Sequence, residues 1–253
     1  DVERSRGLGD VYKRQTLYGM ADLFITGQFY GVDTITAVSN GSQIMHMMTV
    51  IIVGLAMGTT VTIGHSVGAK CMEQAEKIIG NTITLFMGIA VAFTVILVVL
   101  VKPIVVLIAT PQEAVAGTSI YLLICFIGIP FITAYNIISS IFRGLGDSKS
   151  PMYFIGIACV MNIALDYLFM GAFHMGAAGA ALGTVCAQTF SVLVTLWVIR
   201  RRKTGISLKK SDFKIERAVI GQVLKIGIPV ALQDGFIQVA FMIITVIANS
   251  RGV

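Results

Sequence analysis

Polar and apolar positions in this 253-residue chain separate into long blocks instead of alternating. No formal charge falls between Asp33 and Lys70, Lys77 and Lys102, Glu113 and Arg143, or Asp166 and Arg200. Apolar stretches of about 18 residues or more read as membrane-crossing helices. They predict spans over roughly 35–64 and 78–101, the latter closed by Lys102-Pro103. A further span runs from the Pro111-Gln112-Glu113 turn to about Arg143, followed by spans over 151–171 and 176–199. Upstream, residues 16–30 read as the remnant of a first span; downstream, a helix reaches Pro229 and enters a seventh. At about 1.5 Å per residue these lengths suit a hydrocarbon core of about 30 Å. The fold class is all-α, a polytopic transmembrane helical bundle. Strands of a membrane barrel would alternate over about ten residues, and these blocks do not.

Composition agrees: 56% of residues are hydrophobic and 13% charged, with a mean hydropathy of +0.85. Soluble domains carry about 25% charge. A net charge of +6 would by itself be compatible with nucleic acid, but about half of the 19 Lys and Arg lie between Arg200 and Lys225, beside membrane spans. There they read as a topology signal next to anionic lipid, and no nucleic-acid partner is expected. The loops after spans two, four and six carry Lys70 and Lys77, Arg143 and Lys149, and the Arg200–Arg217 cluster, whereas those after spans one and five carry no Lys or Arg. The basic side, and with it the N-terminus, is therefore expected in the cytoplasm of a cell-membrane protein. Residues 1–15 are polar and charged, lack the layout of a signal peptide, and read as a non-native leader. Their RGLGD at Arg6–Asp10 recurs at Arg143–Asp147, but the flanks differ, so no repeat is inferred. Cys71, Cys125, Cys159 and Cys186 form no CxxC pair and read as small apolar packing residues.

Candidate chemistry lies within the spans. Asp166 is the only charge between Lys149 and Arg200, and a mid-membrane acid costs about 3 kcal/mol on insertion scales. Asn162 precedes it by one turn on the same helix face. Asp22 is the only charge in the first span, roughly 15 Å below the outer turn at Gly31–Thr34. Asp166 precedes the outer turn near Phe173–Met175, and Thr184 follows that turn on the returning helix, at a similar depth. Two intramembrane acids and a hydroxyl at one level suggest a cation or proton site. GAAGAALG reads as small-residue packing through Gly179 and Gly183. His46 has no second ligand at metal spacing, and Met45, Met47, Met48 and Met57 suit core filling.

From Thr16 to Val253 the chain resembles the multidrug and toxic compound extrusion (MATE) family of cation-coupled antiporters. The resemblance rests on LYGMADLFITGQF (Leu17–Phe29), GHSVGAK (Gly64–Lys70), RGLGDSKSPM (Arg143–Met152), NIALDYLF (Asn162–Phe169), GAAGAALGT (Gly176–Thr184) and KIGIP (Lys225–Pro229). It implies twelve spans in two six-helix lobes, of which six to seven are here. On that reading 16–200 is the N-terminal lobe with a truncated first span, 201–217 a basic cytoplasmic linker and 218–253 the start of the C-terminal lobe. The remainder of that second lobe is then the implied partner. The resemblance further implies that Asp22, Asn162, Asp166 and Thr184 bind the coupling sodium ion or proton, with Tyr135 as a cavity-lining candidate; His46, from its place in MHMM and not from the resemblance, is a second lining candidate. The expected cargo is an organic, cationic drug-like compound, without a cofactor or an enzymatic step.

Two other readings compete. A lipid-linked oligosaccharide flippase shares the architecture, but basic residues inside the spans would favour it and they are nearly absent. An intramembrane aspartyl protease would use Asp147 of GLGD with Asp166; here Asp147 opens a polar turn, and Leu165 precedes the second acid where an aromatic is expected.

Overall fold

A computed structural model describes residues 21–108, 110–201 and 209–250, with side chains through Ala240. The leader 1–15, the start of the first span and part of the basic loop (202–208) lie outside the described residues. Helix α1 is described over 21–29; α2 spans Val32–Gly68, α3 Met72–Leu107, α4 Gln112–Gly144, α5 Lys149–Asp166, α6 Ala177–Arg201 and α7 Arg217–Ser250. Among the described residues six helices are long and apolar enough to cross a membrane. With 37, 36 and 33 residues, α2 to α4 run roughly 50–55 Å, so they tilt or project beyond the hydrocarbon layer.

The outward face is apolar. On α3 alone Val91, Val95, Ile96, Val99 and Val106 are exposed, a surface that lipid covers and water would not. Inside, α2 is the central helix, packing most extensively on α4 and α7. One apolar cluster joins Ile25, Val38, Leu97, Leu122, Phe126, Met170 and Ala180 across α1 to α6. A second, around Ile63, Ile78, Phe86, Ile141 and Val223, ties the other ends of α2, α3 and α4 to α7. The α2–α7 crossing is made by small residues in matching register. Gly54 and Gly58 on α2 meet Ala231, Val223 and Gly227, so the backbones touch, as interhelical packing in lipid requires.

Four features depart from the sequence expectation. Pro103 does not close the third span; α3 continues through it to Leu107. Proline forfeits one backbone bond, which a helix tolerates near its end. Second, α5 passes after Asp166 into a π-helical stretch, Tyr167–Ala172, ahead of the turn at Gly176, which takes a left-handed φ of +59°. Third, the linker ahead of α7 forms a short 3-10 helix, Lys210–Phe213, docked on α3. Fourth, only Cys125 of the cysteines is a fully buried packing residue; Cys71 and Cys186 are exposed and Cys159 is half-buried.

Candidate functional site

The i, i+4 spacing of Asn162 and Asp166 places both on one face of α5, and both are fully buried. The π-helical stretch begins immediately afterwards, so the acid sits where the regular α-helical ladder ends. Asp22 approaches from α1 and is 4% exposed. Asp22, Asp166, Asn162 and Thr184 are side-chain neighbours, brought together from α1, α5 and α6. Thr184 Oγ1 donates to Asp22 Oδ2 at 3.3 Å. The Asp22 Oδ1 atom, both carboxylate oxygens of Asp166 and both amide atoms of Asn162 are buried and make no hydrogen bond of good distance and angle, even to one another.

Such a cluster is unusual. Buried polar atoms nearly always find partners, and an unpaired one costs about 1–3 kcal/mol. Two carboxylates in one water-poor pocket also need a counter-charge, supplied by a proton or a cation. The donors are carboxylate, amide and hydroxyl oxygens, which suit a hard cation. Among the described residues no group of three or more His, Cys, Asp or Glu side chains gathers.

Glycine 183 determines how closely α6 approaches. Its missing side chain leaves room for Asp166 Oδ1, which a Cβ there would overlap. From the sequence alone Gly183 reads as a packing residue only. Its place one residue before Thr184 was the available signal.

Three other sequence candidates lie elsewhere. Tyr135 is 7% exposed, packs with Phe142, Phe154 and Val192, and its hydroxyl donates to the Pro151 carbonyl at 3.5 Å. Pro151 belongs to the first turn of α5, at the opposite end from Asp166. His46 is half-buried on α2. Its neighbour Met47, with Ile51 and Leu55, lines an apolar groove of about 360 Å³ against Ile228, Leu232 and Phe236 of α7. Asp147 Oδ1 accepts from the Lys149 and Ser150 amides at 3.1 and 3.0 Å, and Oδ2 from Ser150 Oγ at 2.5 Å. It therefore caps α5 roughly 28 Å along the helix from Asp166, too far for a catalytic dyad.

A family model described as MatE matches residues 14–168. The probable multidrug resistance protein YpnP of Bacillus subtilis is 32% identical over 239 residues, 94% of this chain and 53% of its own length. The multidrug export protein MepA of Staphylococcus aureus is 24% identical over 220 residues, covering 86% and 48%. The chain spans about half the length of the curated relatives it matches. In fold it is similar to a multidrug resistance MATE family transporter of the MOP superfamily in its outward-facing conformation, with a TM-score of 0.87 at 24% identity over 95% of this chain and 53% of that one. A MOP superfamily transporter from Pyrococcus furiosus gives a TM-score of 0.84 at 24% identity, over 91% of this chain and 51% of that one.

Proposed function

The chain belongs to the MatE family, and from that premise we propose that it forms one lobe of a secondary antiporter exporting organic, cationic drug-like compounds in exchange for sodium ions or protons. The observation that carries this reading is the buried meeting of Asp22 with Asp166, their oxygens largely unpartnered, beside Asn162 and Thr184. Residues 16–200 are the N-terminal lobe, 201–217 the cytoplasmic linker and 218–253 the beginning of the second lobe. Spans one, three and five run outward from the cytoplasm, which brings Asp22 and Asp166 into the outer half of the membrane.

A sodium ion or proton arriving from outside neutralises part of the negative charge at Asp22 and Asp166. That changes how α1 packs on α5 and α6, and it removes the attraction for a cationic cargo. Release of the ion inside restores the charged pair and resets the cycle. The ion drives transport only because it binds one arrangement of the helices better than the other.

The test uses the full-length protein in proteoliposomes, with ethidium as cargo and sodium and proton gradients imposed separately. Asp22→Asn and Asp166→Asn should each abolish ion-driven efflux while the amount of inserted protein stays unchanged. Undiminished efflux in both variants rules the site out.

A further inference from the structure

The side of α1 that carries Asp22 continues through Thr26 to Tyr30, at i, i+4 and i+8, one face of the helix. Its counterpart is a row with the same spacing, Asn162, Asp166 and Met170, running from α5 into the π-helical stretch. The two rows meet at each level. Asp22 faces Asn162 and Asp166; the Thr26 hydroxyl donates to the Asp22 carbonyl at 2.6 Å and lies 3.7 Å from the Met170 sulfur. At the outer end the Tyr30 hydroxyl donates to the Met170 carbonyl at 3.0 Å and accepts from the Gly176 amide at 2.9 Å. One phenol oxygen therefore ties the end of α1 to the π-helical stretch and to the α5–α6 turn.

That oxygen also resolves a local problem of backbone accounting. The π-helical stretch closes with irregular bonds, the Phe173 amide to the Leu168 carbonyl and the Met175 amide to the Phe169 carbonyl, both 3.0 Å. Tyr30 takes up the Gly176 amide beyond them. Met170 is fully buried, so the stretch is anchored inward by its side chain and across to α1 by its carbonyl. Phe29 closes over Gly171, where a Cβ would lie 3.0 Å from the ring.

We propose that Tyr30 is a positioning residue for the Asp22–Asp166 pair, its hydroxyl holding α1 in the register at which the two carboxylates meet. The inference rests on the antiporter reading, and it assigns Tyr30 a role distinct from ion binding. Without the hydroxyl, α1 spends less time in the ion-competent arrangement. The apparent ion affinity falls by the fraction lost, while the intrinsic affinity of the pair is unchanged.

The experiment compares Tyr30→Phe with Tyr167→Phe in the full-length protein. Tyr167 also bridges to α1, donating to Gln28 Oε1 at 3.2 Å, but that bond is exposed. In ethidium efflux, Tyr30→Phe should raise the half-saturating concentration of the driving ion by about fivefold to tenfold and leave the maximal rate nearly unchanged, as expected for two modest hydrogen bonds. Tyr167→Phe should match wild type. The half-saturating concentration does not depend on how much protein inserts, so reduced expression does not mask the result. Hydrogen exchange of the purified variants supplies a second reading: amides of 167–177 should exchange faster in Tyr30→Phe only. An unchanged half-saturating concentration, an equal shift in Tyr167→Phe, or unchanged exchange overturns the proposal. If Asp22→Asn and Asp166→Asn both retain full ion-driven efflux, the antiporter site fails instead, a separate outcome.

Discussion

Gly183 lies directly against Asp166, where any side chain would overlap the carboxylate as it stands. Gly183→Ala adds a methyl group where Asp166 Oδ1 lies, so α6 must retreat or the carboxylate must turn. Overpacking of this kind costs about 1–3 kcal/mol. The expected result is a loss of roughly tenfold or more in apparent ion affinity, measured by titrating the driving ion in ethidium efflux, with insertion retained. An ion dependence identical to wild type would contradict this account of the α5–α6 contact. The sequence made Asp166 and Asn162 legible, because an acid in an apolar run demands a partner and a helical period places one beside it. The same reasoning could not see what Gly183 touches. That contact depends on the rotation and register of α6 against α5, which small residues permit at several settings. Hydrophobic patterning puts Asp22 and Asp166 only at equal depth, and it is the family resemblance that implies a shared site; their contact depends on the lateral arrangement of α1, α5 and α6. Asp147 was legible as a turn residue from the polar run around it, and capping α5 is what it does.

Among elements, the linker between α6 and α7 makes the most specific attachment outside the site. Asn81, 1% exposed on α3, donates to the Asp212 carbonyl at 3.2 Å and accepts from the Glu216 amide at 2.7 Å. Thr84 Oγ1 donates to the Phe213 carbonyl at 3.1 Å, and Gly80 lets the Asp212 backbone lie directly against α3. Asp212 folds its own carboxylate back onto the Lys209 amide at 2.7 Å. The approach to α7 is thereby clipped to α3, so α7 starts from a fixed point. Asn81→Ala removes both ends of the clip and leaves partners unpaired, worth about 1–3 kcal/mol of local opening. Tryptic cleavage after Lys214, mapped by mass spectrometry on membranes with the basic loops accessible, should accelerate roughly tenfold, because cleavage of a transiently opened segment follows its population. Equal cleavage rates in wild type and variant would count against the clip. None of this was legible beforehand: the loop reads as charge, and a buried Asn on an apolar helix discloses no partner. The existence and order of spans two to six are legible in the apolar blocks, although α3, at Met72–Leu107, extends well past the expected 78–101 at both ends. Pro103 misled because its effect depends on whether the last turn of α3 keeps its other bonds. The π-helical stretch is invisible in the sequence because nothing in YLFMGA distinguishes an i to i+5 turn from an ordinary helical one.

Across the whole molecule, orientation decides from which side the Asp22–Asp166 pair is reached, and charge alone supplies the expectation. The α2–α3, α4–α5 and α6–α7 connections carry the basic residues, while the α5–α6 turn carries none. A cytoplasmic placement of the basic ends puts Tyr30, Phe173 and Gly176 outside, with the acid pair below them. Two residues report on this directly. Cys71 is exposed in the α2–α3 turn, next to Lys70, and Phe173 is 61% exposed in the α5–α6 turn. In one full-length variant Cys71 is the only cysteine; in a second, cysteine-free otherwise, Phe173→Cys carries the label. In intact cells a membrane-impermeant maleimide should react with the second and spare the first, and permeabilisation should expose both. The opposite pattern would invert the lobe. Ions arriving from outside would then face the clipped cytoplasmic-type loops before the Tyr30 tie, and the order of ion entry and cargo release proposed here would have to be reversed.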